Sequence, residues 1–156
     1  MAIQNIFVVG AGLMGSGIAQ NAITSGYNVT LNDQRQETLE RAKAGIERAL
    51  GRDVEKGRLS GEDRDAALAR LTLDATMEGA KNADLVIEAI FENLEAKQAV
   101  FSALEDICPE HTIFASNTSS ISLTALAAAT KRPARVVGMH FFSPVPRMRL
   151  CEVIFG

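Results

Sequence analysis

Gly10-Ala11-Gly12-Leu13-Met14-Gly15 constrains this chain most, because its three glycines stand between the apolar run Ile6 to Val9 and a helical stretch, Ile18 to Ser25. A glycine-rich turn that joins a strand to a helix opens a dinucleotide-binding βαβ unit. In such a unit Gly10 permits the tight turn, Gly12 lets the backbone come close to a pyrophosphate, and Gly15 lets helix and strand pack closely. The helix amides and the positive end of the helix dipole then face the phosphates. The six letters alone suit equally a glycine turn that binds nothing. Asp33 adds the second feature: it follows the predicted strand Tyr27 to Leu31, 23 positions after Gly10. An acid near that offset hydrogen-bonds the adenosine ribose hydroxyls and repels a 2′-phosphate, which favours NAD over NADP. Arg35 works against that preference if it meets a 2′-phosphate, and is neutral to it if it stacks on adenine. Asp33 also suits a cap for the helix that follows.

Beyond residue 33 the chain alternates short β-rich runs with longer helical ones, the order of a parallel sheet with crossover helices. Strands are predicted at Asp84 to Glu88, Thr112 to Ala115, Val136 to His140 and Leu150 to Phe155, and helices at Leu94 to Ile107 and Leu123 to Ala129. The segment Gln36 to Arg70 is too long for a simple crossover. Leu39, Ala42, Ile46, Ala49 and Leu50 share one helical face, Gly57 interrupts, and Ser60 with Asp63 three positions on reads as a capped restart. The expected fold is therefore α/β, a Rossmann-like doubly wound, mostly parallel sheet with a helical hairpin projecting after the second strand.

Composition narrows the classes of partner. With 47% hydrophobic and 22% charged residues and a formal net charge of −3, the chain is an ordinary globular domain without the basic field that nucleic acid selects. Its longest uncharged apolar runs fall far short of the ~20 residues that span a bilayer. Cys108 and Cys151 form no CxxC pair, and no leader-like segment opens the chain, so a cytoplasmic protein with reduced thiols and no metal is expected.

The second half carries the chemistry. Ser116-Asn117-Thr118-Ser119-Ser120 follows a predicted strand; His140 comes 21 positions after Ser119, inside His140-Phe141-Phe142-Ser143-Pro144-Val145-Pro146, and Glu152 lies 12 further on. Oxidising a secondary alcohol needs a base for the hydroxyl proton, and imidazole titrates near working pH, so His140 is the candidate base. Glu152, brought back by the turn, would fix its tautomer. A satisfied structural histidine near a surface glutamate is the plain alternative. These stretches, with Glu88-Ala89-Ile90-Phe91-Glu92-Asn93 and Lys97, closely resemble the 3-hydroxyacyl-CoA dehydrogenases of fatty-acid β-oxidation, from the first strand to the last residue.

The resemblance implies an oxidoreductase that converts an (S)-3-hydroxyacyl-CoA to the 3-oxo product with NAD. It implies that Ser119 bonds the substrate oxygen or the nicotinamide ribose, that Asn117 lies against the nicotinamide, and that Glu92 and Lys97 contact the nicotinamide-side ribose. Glu92, Asn93 and Lys97 equally suit a helix start with an exposed charge pair. Ser116, Thr118 and Ser120 are expected to be structural. Lys56 matches a coenzyme A contact of the family, and Arg48, Arg52 and Lys56 recur every four residues as a basic stripe, if the helix survives Gly51; Ala49 stands where a member of the family has a serine contact. Ser143 replaces the family's usual Asn. The family continues past the equivalent of Gly156 into a helical domain that closes the cleft, supplies a further Asn and forms most of a homodimer interface. The chain alone is therefore expected to bind NAD and to turn over weakly or not at all. A dehydrogenase for a hydroxy acid lacking coenzyme A, and a non-catalytic dinucleotide-binding or structural protein, are the alternatives.

Overall fold

The structure is a computed structural model that describes residues 2–142, 145–147 and 151–155. Among the described residues seven strands form one sheet: β1 (Asn5–Val9), β2 (Asn28–Asn32), β3 (Leu71–Asp74), β4 (Leu85–Glu88), β5 (Ile113–Ser116), β6 (Val136–Phe141) and β7 (Cys151–Phe155), in the spatial order β3-β2-β1-β4-β5-β6-β7. All pairs are parallel except β6 with β7. Chain direction across the sheet reverses between β1 and β4, so the crevice beyond their carboxyl ends is where an open α/β sheet takes a ligand.

Period-two alternation divides the core in two. Ile6, Val8, Val29, Leu31, Leu85, Ile87 and Ala115 pack on one side of the sheet with Ile18, Ala19 and Ile23 of α1 (Leu13–Thr24). Phe7, Val9, Val86, Phe114 and Val136 face the other side, against Phe101 and Leu104 of α4 (Leu94–Glu105) and Leu126 of α5 (Leu123–Ala127). A sheet buried on both faces explains why its central strands read as near-continuous apolar runs.

The helical pair expected between residues 36 and 70 is present as α2 (Gln36–Glu55) and α3 (Gly61–Ala69), and its root is part of the core. Leu39, Ala42, Ile46 and Leu50 are buried with Ile18, Ile23 and Ala67. The restart is capped as expected: Asp63 N–H donates to Ser60 Oγ at 3.0 Å. α2 runs unbroken through Gly51, so Arg48 and Arg52 stand exposed one turn apart with Lys56 at its C-cap. β3 was not anticipated. It is four residues long, lies at the sheet edge, and is held by pairing with β2 and by Asn32 Nδ2 donating to the carbonyls of Asp74 and Thr76.

At the amino edge, Asp84 ties three segments together. Its Oδ2 accepts from the backbone N–H of Gln4 and of Asn5, each at 2.9 Å, and its Oδ1 lies 2.9 Å from His111 Nε2. The Asn5 and Gln4 amides, helped by His111, hold the carboxyl below its ordinary value of 3.8 against a smaller effect of burial. A depressed folded-state pKa contributes stability that is fully present above the unfolded value and lost as pH falls through the folded one. Asp84→Asn is therefore expected to lower stability by about 1–2 kcal/mol at neutral pH and by progressively less below pH 3.8. Denaturant midpoints that differ equally at pH 7 and pH 3 would contradict this.

Among the described residues no helix is long and apolar enough to cross a membrane.

Candidate functional site at the carboxyl edge of the sheet

The glycine loop is shaped by contacts that leave no room for side chains at two of its positions. Gly10 has φ +100°, and a Cβ there would stand 2.8 Å from Ala89 O. A Cβ on Gly15 would lie 1.6 Å from Gly10 O. Gly12 is different: it is exposed, and nothing lies within 4 Å of where its Cβ would be. The opening beside it leads to the first turn of α1, which has no side-chain cap and no acidic residue. Side chains do cap α3, α4 and α5, through Ser60, Asn93 and Ser122. The leading amides of α1 thus remain available to an anion.

Asp33 is held at the mouth of this opening. Ala11 N–H donates to its Oδ2 and Arg35 N–H to its Oδ1, both at 3.1 Å. Gly10 N–H donates to Asn32 O at 2.8 Å, which locks the loop to the end of β2. Asp33 is not the cap of α2; that position is Arg35, with no side-chain hydrogen bond. A cleft of about 650 Å³ is lined by Gly10, Gly12, Asp33, Arg35, Met77, and the segment Ala89 to Phe91.

A second cavity, of about 370 Å³, shares Ala89 to Phe91 as a wall and adds Met14, Glu92, Asn117, Ser119, His140, Phe141 and Phe142. An elongated ligand can therefore run from Asp33 past the glycine loop to His140. The second cavity unites residues from the ends of three strands. Asn117 Oδ1 accepts from Phe141 N–H at 3.0 Å. Because a backbone N–H requires an acceptor, this bond fixes the amide with its nitrogen elsewhere, and that nitrogen has no partner among the described residues. Ser119 is exposed to the cavity. The His140 imidazole packs on Phe142 with ring centroids 4.9 Å apart.

Glu152 is the direct cross-strand partner of His140 in the β6/β7 register. Directly opposed residues project to the same face with Cβ atoms ~5 Å apart. Among the described residues no ion pair or hydrogen bond joins the two side chains, and Glu152 is exposed. Ser143 and Pro144 lie outside the described residues.

Glu92 and Lys97 belong to a network whose buried centre is Glu88, a residue named above without a role. Glu88 is fully buried; Ser116 Oγ donates to its Oε1 at 2.5 Å, and Ile90 N–H and Lys97 Nζ donate to its Oε2 at 2.8 and 2.5 Å. Lys97 Nζ also donates to Ile90 O and forms an ion pair with Glu92 Oε1, both at 3.2 Å. Two of the three ammonium protons are thus placed in hydrogen bonds, and the charge is shared between two carboxylates. Lys97 is 1% exposed. This corrects the reading of Lys97 as half of an exposed charge pair: the ammonium is buried and meets the cleft beside Glu92. Thr118 Oγ1 and Ser120 Oγ donate to Glu92 Oε2 at 2.7 and 2.8 Å, so the expected structural serines and threonine hold carboxylates. Burial alone would raise the Glu92 carboxyl, but Thr118, Ser120 and the bond and charge of Lys97 outweigh it and bring it below its ordinary value. An acid closing an apolar strand nine residues before a lysine was the available signal for Glu88.

Lys56 is exposed at the C-cap of α2 and lines neither cavity. A helix of 20 residues is ~30 Å long, so Lys56 and the two arginines extend away from the Asp33 end.

Comparison with known proteins agrees with this arrangement. The family model described as 3-hydroxyacyl-CoA dehydrogenase, NAD binding domain, matches residues 5–156. A probable 3-hydroxybutyryl-CoA dehydrogenase of Bacillus subtilis is 49% identical over all of this chain and 54% of its own length. The mitochondrial hydroxyacyl-coenzyme A dehydrogenase of Homo sapiens is 43% identical over 97% of the chain and 50% of its own length. A crystal structure of 3-hydroxybutyryl-CoA dehydrogenase from Escherichia coli superposes with a TM-score of 0.96 at 45% identity, covering 98% of this chain and 32% of that one. The chain thus spans about half the length, or less, of the relatives it matches. A match that runs from the first strand to the last residue, on a sheet whose carboxyl edge can hold a dinucleotide, makes this chain a member of the family of 3-hydroxyacyl-CoA dehydrogenase NAD-binding domains, with NAD as its cofactor.

Proposed function

We propose that the protein to which this domain belongs oxidises the 3-hydroxyl of an (S)-3-hydroxyacyl-CoA, with His140 as the base. The observation that carries this reading is the cavity that unites His140, Ser119 and Asn117 and shares a wall with the Asp33 cleft. NAD, when bound, supplies the hydride acceptor. The α1 amides and the space beside Gly12 receive its diphosphate, and Asp33 receives the adenosine ribose. His140 takes the hydroxyl proton as the carbon–hydrogen bond gives up its hydride, which leaves a ketone. Ser119 and the Asn117 amide nitrogen are donors toward the substrate oxygen or the nicotinamide. Glu152, opposite His140 in register, orients the imidazole once its carboxylate swings toward the second ring nitrogen. The exposed line of Arg48, Arg52 and Lys56 suits the coenzyme A phosphates, and acyl-CoA names among the relatives favour that substrate class.

Calorimetric titration of the chain with NAD and with NADP tests the cofactor half of this reading. Saturable NAD binding, weakened about tenfold or more by Asp33→Ala, is expected, with NADP binding less tightly. For the catalytic half, His140→Gln in the protein that carries the domain is expected to lower kcat by about 10²- to 10⁴-fold with little change in NAD affinity. Full turnover by that variant would remove His140 from the reaction.

A further inference from the structure

We propose that Glu92 makes the nicotinamide end of the cleft select the oxidised, cationic cofactor over the reduced, neutral one, with Lys97, Thr118 and Ser120 holding its carboxylate in place. The inference rests on reading the His140 cavity as the nicotinamide site. Among the described residues that line that cavity, Glu92 is the one acidic side chain, and none is a lysine or arginine. Its carboxylate is fixed from behind. Oε1 meets Lys97 Nζ at 3.2 Å, and Oε2 accepts from Thr118 and Ser120. Lys97 does not fully cancel the charge, because its single ammonium is shared between Glu92 and the buried Glu88, to which it lies closer. The cation lies on the inner side, 1% exposed, while the Glu92 side chain is 42% exposed toward the cavity.

NAD in its oxidised form differs from the reduced form in this region by one positive charge on the ring. A fixed carboxylate on the wall attracts that charge and gains nothing from the neutral ring. Both forms present the same diphosphate and adenosine to the glycine loop and Asp33, so the ratio of their affinities isolates the ring end. Compared with the same wall lacking the carboxylate, the ratio of affinities is shifted toward the oxidised form, which suits turnover in the direction of alcohol oxidation.

The test is the pair of dissociation constants for oxidised and reduced NAD, measured by calorimetry for the unmodified chain, Glu92→Gln and Glu92→Asp. ADP-ribose, which lacks nicotinamide, serves as the control probe. Glu92→Gln is expected to weaken oxidised NAD relative to reduced NAD by about three- to tenfold, with ADP-ribose affected no more than reduced NAD. Glu92→Asp, which keeps the charge, is expected to restore most of the bias. In the unmodified chain the bias is expected to shrink as salt rises from about 0.05 to about 0.5 M, because the carboxylate is partly exposed. Equal weakening of both forms by Glu92→Gln, or a bias that salt leaves unchanged, would overturn the proposal and reduce Glu92 to a hydrogen-bond acceptor. Failure of the unmodified chain to bind either form would overturn the reading of the cavity itself.

Discussion

Gly15→Ala is expected to leave a chain that no longer binds NAD and that unfolds about 3 kcal/mol more easily. The added methyl would sit 1.6 Å from Gly10 O and 2.8 Å from Gly10 C, both backbone atoms. Gly10 cannot move aside, because its N–H is bonded to Asn32 O and its other side faces Ala89 O. Relief therefore requires α1 to lift from β1, which opens the packing of Ile18, Ala19 and Ile23. Gly12→Ala provides the contrast, since nothing within 4 Å obstructs its Cβ. That variant should keep the parent denaturant midpoint and lose NAD affinity, the methyl standing where the diphosphate would lie. Denaturant melts and NAD titrations of the two variants check both statements. An unchanged midpoint in Gly15→Ala would mean that the loop does not pack as described.

Lys97→Met should have a comparable or larger effect on stability. It removes the cation from between Glu88, which is fully buried, and Glu92, while the methionine fills most of the space left by the lysine stem. Breaking one side of a buried pair strands the other charge and costs about 3–5 kcal/mol. Glu88 would keep the Ser116 hydroxyl and the Ile90 amide as partners, which favours the lower end of that range. The double variant Glu88→Gln with Lys97→Met should recover more than half of the loss, because no unpaired charge remains and glutamine can still bond Ser116. NAD affinity should stay reduced in both, since Glu92 lacks the ammonium that positions it. A single variant with the parent midpoint would show that the buried network contributes nothing to the fold.

Much of this architecture was legible in the chain. The GxGxxG motif between a strand and a helix, Asp33 at its offset, and the alternation of apolar runs identified the doubly wound sheet, because strand and helix periods are local properties of the sequence. The Ser60–Asp63 restart was legible for the same reason, a cap being a contact over three residues. β3 was not, since Leu71–Asp74 is too short to carry a period and becomes a strand only because β2 offers it an edge. The return of β7 was expected from the turn that brings Glu152 back toward His140, but only the antiparallel register with β6 decides that the two are direct cross-strand partners.

For the candidate site, residue types along the sequence determined the chemistry available: an imidazole, hydroxyls and an amide after one strand, and acids after two others. Tertiary structure alone decided which groups face the cleft and which are consumed within the protein. Lys97 illustrates the division. Its place in the sequence suits an exposed pair on α4 or a cofactor contact, and its helix was correctly foreseen. Yet β4 ends in Glu88 beneath it, and a buried carboxylate captures the nearest cation because burying either charge unpaired is costlier than pairing them. That capture directs Lys97 inward and leaves Glu92 as the charge at the cavity wall. Spacing along a chain cannot rank such competing partners; the ranking depends on distance and on exclusion of water, both of which exist only once the sheet has closed.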